Sequence, residues 1–189
     1  MILEPTDALL VIDVQNDFCP GGALPVPGGD GVIPPLNRLI NRFETVIYSR
    51  DWHPDDHCSF SLDPQFMDGS WPVHCVQDTP GAEFPFALRV PLDAVIVSKG
   101  TDPNKEAYSA FQNTDLKNIL ASRQIQRVFI GGLALDYCVK ETALDARRAG
   151  FEVYVVEDAT RAVSEETGRQ AMEALKAAGV RFCFSGEIK

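Results

Sequence analysis

Four reactive side chains stand at or just beyond the ends of four apolar runs. Asp13 follows Ala8 to Ile12, Asp51 follows Thr45 to Ser49, Lys99 follows Ala94 to Val97, and Cys138 comes soon after Val128 to Ile130. Asp, Lys and Cys together make a nucleophile system. A thiol near its usual pKa of about 8.5 is mostly protonated at neutral pH. A carboxylate within reach can take its proton, and an ammonium beside the pair offsets the negative charge. Cys138 itself lies in Gly131-Gly132-Leu133-Ala134-Leu135-Asp136-Tyr137-Cys138, between an apolar run and a helical pattern. That context places it in the first turn of a helix. The free amides and positive dipole end there favour a thiolate and can hold a negative oxygen. Each residue alone has a plainer reading: a lone cysteine is often an apolar filler, and most Asp and Lys side chains are solvated. The set as a whole is harder to explain that way.

A second group is Asp51-Trp52-His53, with His57 and His74 downstream; these are the three histidines of the chain. Residues two apart in an extended segment point the same way, so Asp51 and His53 can act together, and His74 closes the set if the chain returns. One carboxylate and two imidazoles with open positions suit a divalent metal that still admits water or substrate. His57 is equally readable as a ligand or as a loop histidine bonded to backbone. Aromatics gather at the same rim: Phe18, Trp52, Phe60, Trp71 and Tyr108. They make either lid packing or a flat pocket for a ring-shaped substrate, the latter reading being stronger for Phe18 and Trp71.

These side chains need a scaffold that brings strand ends together. The sequence predicts strands at Ala8 to Ile12, Thr45 to Ser49, Ala94 to Val97, Val128 to Ile130, Val153 to Val156 and Val180 to Phe184. Helices are expected over about Val32 to Phe43, Asp115 to Ser122, Glu141 to Ala149 closed by Gly150, and from the Ser164 cap to Ala178. Alternating strands and helices give an α/β protein with a mostly parallel sheet and helices on both faces. Ligands in such sheets bind outside the carboxyl ends of the strands, where the four reactive groups fall. A single domain is expected over residues 1–189, with a long connection without clear periodicity at about 52–91. A connection of that length is either functional or hides an element.

The formal charge of −10 argues against nucleic-acid partners and against docking on anionic membranes. No apolar run approaches a membrane span, and no signal segment opens the sequence. Five cysteines without a CxxC pair fit free thiols in a reducing cytoplasm. There is no GxGxxG and no P-loop.

Asp13-Val14-Gln15-Asn16-Asp17-Phe18 with Pro20-Gly21-Gly22 resembles the opening motif of the nicotinamidase/pyrazinamidase family, within the isochorismatase-like cysteine hydrolases. Arg50-Asp51-Trp52-His53-Pro54 resembles that family's metal motif, and Trp71-Pro72-Val73-His74-Cys75-Val76 the segment carrying the last ligand. Lys99-Gly100-Thr101 leading to Tyr108-Ser109-Ala110-Phe111, and Gly132 to Val139, resemble the lysine and cysteine motifs. The resemblance implies a six-stranded Rossmann-like sheet and hydrolysis of nicotinamide to nicotinate and ammonia, a step of NAD salvage. Pyrazinamide would also be accepted. It implies Asp13 as base, Lys99 as its charged partner and Cys138 as nucleophile, with the amides of Ala134 and Cys138 as oxyanion hole. It implies Phe18, Trp71 and Tyr108 at the substrate ring, and a cis peptide before Ala134.

The resemblance further implies one divalent metal on Asp51, His53 and His74, orienting the ring through its nitrogen, with water activation a further role. Zinc is the first expectation, and iron or manganese suit the same donors. His57 is a ligand in some relatives and supports a ligand in others. Leu135 and Tyr137 depart from many relatives, which have Thr or His there, and bear on specificity. Two rivals are an amidase of the same superfamily acting on a carbamoyl or ureido compound, and a non-enzymatic zinc-binding or thiol-sensing protein. The sequence does not set the oligomeric state, and a homo-oligomer is compatible with it.

Overall fold

A computed structural model describes residues 1–66 and 68–189. Six strands form one sheet: β1 (Asp7–Ile12), β2 (Thr45–Asp51), β3 (Val95–Lys99), β4 (Arg127–Leu133), β5 (Glu152–Arg161) and β6 (Arg181–Cys183). Their order is β3-β2-β1-β4-β5-β6, and every pairing is parallel. The expected mixture is thus wholly parallel among the described residues.

All six residues of β1 are buried, as a strand covered on both faces requires. Its alternate side chains enter two different cores. Leu9 and Val11 pack with Leu36, Leu39, Phe43 and Phe129, whereas Ala8, Leu10 and Ile12 pack with Leu116, Leu120, Ala143 and Leu175. The first layer is built by α1 (Ile33–Ile40), and the second by α2 (Leu116–Ser122), α3 (Lys140–Arg148) and α4 (Glu165–Ala177). In α1, Ile33, Leu36, Leu39 and Ile40 form the buried stripe, and Pro34 and Pro35 occupy the first turn, where a missing N–H costs nothing. In α4 the Ser164 hydroxyl caps the amide of Thr167 at 3.2 Å.

The differences from expectation lie at element ends. α1 is shorter than the apolar pattern and is preceded by a 3-10 turn at Gly29–Val32. β5 runs on to Arg161 because, past an irregularity in its register, Thr160 rejoins β4 opposite Gly132. The connection after β2 holds a 3-10 turn (Pro80–Ala82) and two isolated parallel bridges, His53 with Val76 and Phe60 with Trp71. No described helix is long and apolar enough to cross a membrane.

The strand order reverses between β1 and β4, so the connections leaving these two strands diverge and open a crevice at their carboxyl ends. β1 leads to Asp13 and β4 to Cys138. Gly132 permits their approach: its φ is +127°, and a Cβ there would lie 2.0 Å from the Ile12 carbonyl oxygen.

Candidate active site

Asp13, Lys99 and Cys138 meet at the crevice. Asp13 turns the chain off β1 with φ of +46°, a left-handed conformation rare outside glycine. That turn aims its carboxylate back across the strand ends. Oδ1 accepts the Ser49 hydroxyl at 2.6 Å. Oδ2 lies 3.0 Å from the Lys99 ammonium, but that contact is not aligned as a hydrogen bond, and the atom is a buried acceptor without a donor among the described residues. It is therefore free to receive a proton. Cys138 Sγ is 3.4 Å from Lys99 Nζ, and one carboxylate oxygen each of Asp13 and Asp51 lies within 4.8 Å of that sulfur.

Lys99 also donates to Asp51 and, at 3.0 Å, to the Ala107 carbonyl. Its charge is thus bracketed by two carboxylates. Burial works against the ammonium, but Asp13 and Asp51 outweigh it and hold its pKa well above the ordinary lysine value. The carboxylates divide the remaining effect. Burial lifts Asp13 to about 6, with Lys99 opposing. Burial pushes Asp51 up too, yet Lys99, His53 and His74 together hold it below the ordinary value. Asp51 is the permanent anion and Asp13 the group able to cycle its proton near neutrality.

The cysteine differs from the sequence reading in one respect. Cys138 sits in a π-helical turn (Leu135–Val139) that continues into α3. Burial pushes its thiol well above the ordinary cysteine value; Lys99 pulls the other way, and Asp13 and Asp51 add to the burial. Burial and the two carboxylates thus favour the thiol over the thiolate at this position, against the sequence expectation. The turn is anchored by Asp136, which accepts from the Val163 amide at 3.1 Å and the Thr167 hydroxyl at 2.5 Å. The peptide between Leu133 and Ala134 is cis.

Asp51, His53 and His74 gather beside this centre, one donor atom of each within 4.8 Å of the others. The His53 Nδ1–H donates to the Gly100 carbonyl at 3.0 Å, and the His74 Nδ1–H to the Pro72 carbonyl at 2.7 Å. A carbonyl only accepts, so in both rings Nδ1 bears a proton and Nε2 is the nitrogen left to face a cation. Burial lowers His53 to about 4 against the pull of Asp51, so the ring is neutral at neutral pH. The donor set suits a divalent cation. His57 is fixed the other way. Its Nε2–H donates to the Lys105 carbonyl at 3.1 Å, and its Nδ1 accepts from the Ser59 hydroxyl at 2.8 Å. Both nitrogens are occupied, and the ring packs 4.1 Å from that of His53.

Phe18, Trp71, Tyr108, His74, Ala134 and Cys138 line one cavity of about 630 Å³ including its mouth. Trp71 donates its indole N–H to the Tyr108 hydroxyl at 3.1 Å. Two of the five rim aromatics lie elsewhere. Phe60 buttresses the rings of His53, His57 and His74, and Trp52 lies under the Arg50 guanidinium, 3.5 Å from the ring centroid. Sequence reasoning assigns no wall to Tyr137, which meets Trp71 edge-on at 5.1 Å, nor to Leu24, Val26, Phe66, Glu106 and Val163. Spacing along the chain carries no signal for those residues; Tyr137 alone is marked, by standing next to the cysteine.

The family model for the isochorismatase domain matches residues 7–185. A nicotinamidase of Acinetobacter baylyi is 40% identical over 96% of this chain and 94% of its own. The pyrazinamidase of Pyrococcus horikoshii, solved in complex with zinc, superposes with a TM-score of 0.88 at 48% identity, over 95% of this chain and 99% of that one. A protein of L. infantum solved in complex with nicotinate gives 0.92 at 36% identity, covering 100% of this chain and 98% of its own.

Proposed function

The chain belongs to the isochorismatase family, and from that membership we propose that it is a nicotinamidase, hydrolysing nicotinamide to nicotinate and ammonia and accepting pyrazinamide. The observation that carries this reading is that Cys138, backed by Lys99 and Asp13, lines the same cavity as Asp51, His53 and His74. The superfamily resemblance implies that amidases for ureido compounds generally keep the Asp-Lys-Cys set and lack the Asp-x-His pair.

The geometry supports the following course of reaction. Asp13 Oδ2 takes the proton of Cys138 Sγ, and the thiolate attacks the carboxamide carbon. Lys99 stays protonated throughout and keeps the acid and the sulfur in register. The amides of Ala134 and Cys138 receive the negative oxygen. Collapse of that adduct expels ammonia with the proton returned by Asp13, leaving a thioester on Cys138. Asp13 then draws a proton from water, whose oxygen attacks the thioester, and the thiol leaves with that proton as the acid is released.

Phe18, Trp71 and Tyr108 hold the ring between them. Asp51, His53 and His74 would hold one divalent metal, zinc first among the candidates; when bound, it supplies a Lewis-acid contact for the ring nitrogen. Free thiols and the acidic surface fit a cytoplasmic enzyme of NAD salvage.

The test is ammonia release from nicotinamide, pyrazinamide and a ureido amide, before and after chelation. Turnover of the two aromatic amides, lost with chelator and restored by zinc, supports the reading. Turnover of the ureido amide alone, indifferent to chelator, defeats it in favour of the superfamily rival.

A further inference from the structure

Gln15 lies outside every role assigned above, yet its side chain is wholly buried. Its Oε1 accepts the Asp51 amide at 2.8 Å, and its Nε2 donates to the Asp51 carbonyl at 2.8 Å and the Ala82 carbonyl at 2.9 Å. Both hydrogens of the carboxamide are used, and both backbone groups of Asp51 are engaged by one side chain.

The reason lies in the ladder between β1 and β2. Alternate residues of a parallel strand turn their N–H and C=O to the same neighbour. Ser49 faces β1, since its carbonyl accepts the Asp13 amide at 3.1 Å, and Asp51 lies two residues on. Asp51 therefore presents its backbone groups to the next rung of β1, but β1 is no longer there. The chain has turned away at Asp13 to bring its carboxylate to the sulfur. A Gln carboxamide carries an N–H and a C=O in one plane, as a peptide does, and Gln15 fills the vacated rung.

We propose that Gln15 is a positioning residue for the metal cluster: its carboxamide replaces the missing rung and fixes the backbone of Asp51 so that its carboxylate meets His53 and His74. On the opposite edge Asp51 is held by its register with Lys99. The inference rests on the reading of Asp51, His53 and His74 as metal ligands. Glu in place of Gln15 would set an oxygen against the two carbonyls, and Met would leave the Asp51 N–H and C=O without partners in a dry interior.

The experiment is zinc affinity of the substrate-free protein, by competition with a chromophoric chelator. Wild type is compared with Gln15→Met, Gln15→Glu and Val14→Ala; Val14 is an equally buried neighbour whose side chain belongs to the apolar cluster with Leu9, Val11 and Phe18 and carries no polar group to bond Asp51. Both Gln15 variants are expected to bind zinc about 10- to 100-fold more weakly, with Val14→Ala within about two-fold of wild type. Gln15→Met binding as tightly as wild type would overturn the inference. So would an equal loss in Val14→Ala, or failure of both Gln15 variants to fold while Val14→Ala folds, since Gln15 would then serve the fold at large. Failure of wild type to bind zinc would instead defeat the metal reading on which the inference rests.

Discussion

Lys99 and Asp13 face each other at 3.0 Å, and neither side chain is exposed to solvent. A buried charge of this kind persists only when its partners are in place. Lys99 has two, so removing it leaves Asp13 and Asp51 as like charges in the interior. Lys99→Met is expected to lose ammonia release and to lower unfolding free energy by about 3 kcal/mol or more, read by urea denaturation at neutral pH. Wild-type stability in that variant would mean the ammonium is not the element holding the carboxylates together.

The acid limb of the rate is expected to follow Asp13. Its folded pKa is raised, so the protonated, inactive form persists up to about 6, higher than an ordinary carboxylate allows. kcat/KM should fall as pH falls through that value. The Ser49 hydroxyl favours the carboxylate form, so Ser49→Ala should move the limb to higher pH. A limb that stays put in Ser49→Ala would detach it from Asp13.

The two halves of the site should separate. Asp13→Asn is expected to keep its metal stoichiometry and lose turnover at least about a hundredfold. His74→Ala is expected to lose metal while Cys138 remains open to alkylation. Metal analysis alongside ammonia release checks both, and joint loss in Asp13→Asn would contradict independent roles.

Gly132 tests the crevice itself. Its φ is +127°, and an alanine methyl there would fall 2.0 Å from the Ile12 carbonyl oxygen, so Gly132→Ala must displace β1 or β4. A loss of at least about 2 kcal/mol is expected by urea denaturation. A smaller loss would show that the strand ends can part without cost.

Much of this was legible in the chain. Leu9 and Val11 against Ala8, Leu10 and Ile12 make a continuous apolar run, and such a run marks a strand buried on both faces. The reactive groups were readable because each sits at or just past the end of such a run. What the sequence could not convey depends on folded geometry. The raised thiol of Cys138 comes from burial and from two carboxylates distant in sequence. The opposite tautomers of His53 and His57 are set by Gly100, Lys105 and Ser59, which periodicity does not connect. The described residues between 52 and 91 are held by isolated bridges and by bonds from distant side chains, such as Asp17 accepting the Cys75 amide at 2.7 Å, and neither leaves a periodic pattern.

The central claim is that the sulfur of Cys138 forms and breaks the covalent bond to the substrate. Ammonia release from nicotinamide by zinc-loaded wild type and zinc-loaded Cys138→Ala tests it most directly. The account predicts release by the variant at the uncatalysed background with zinc content unchanged. Release at the wild-type rate would contradict it.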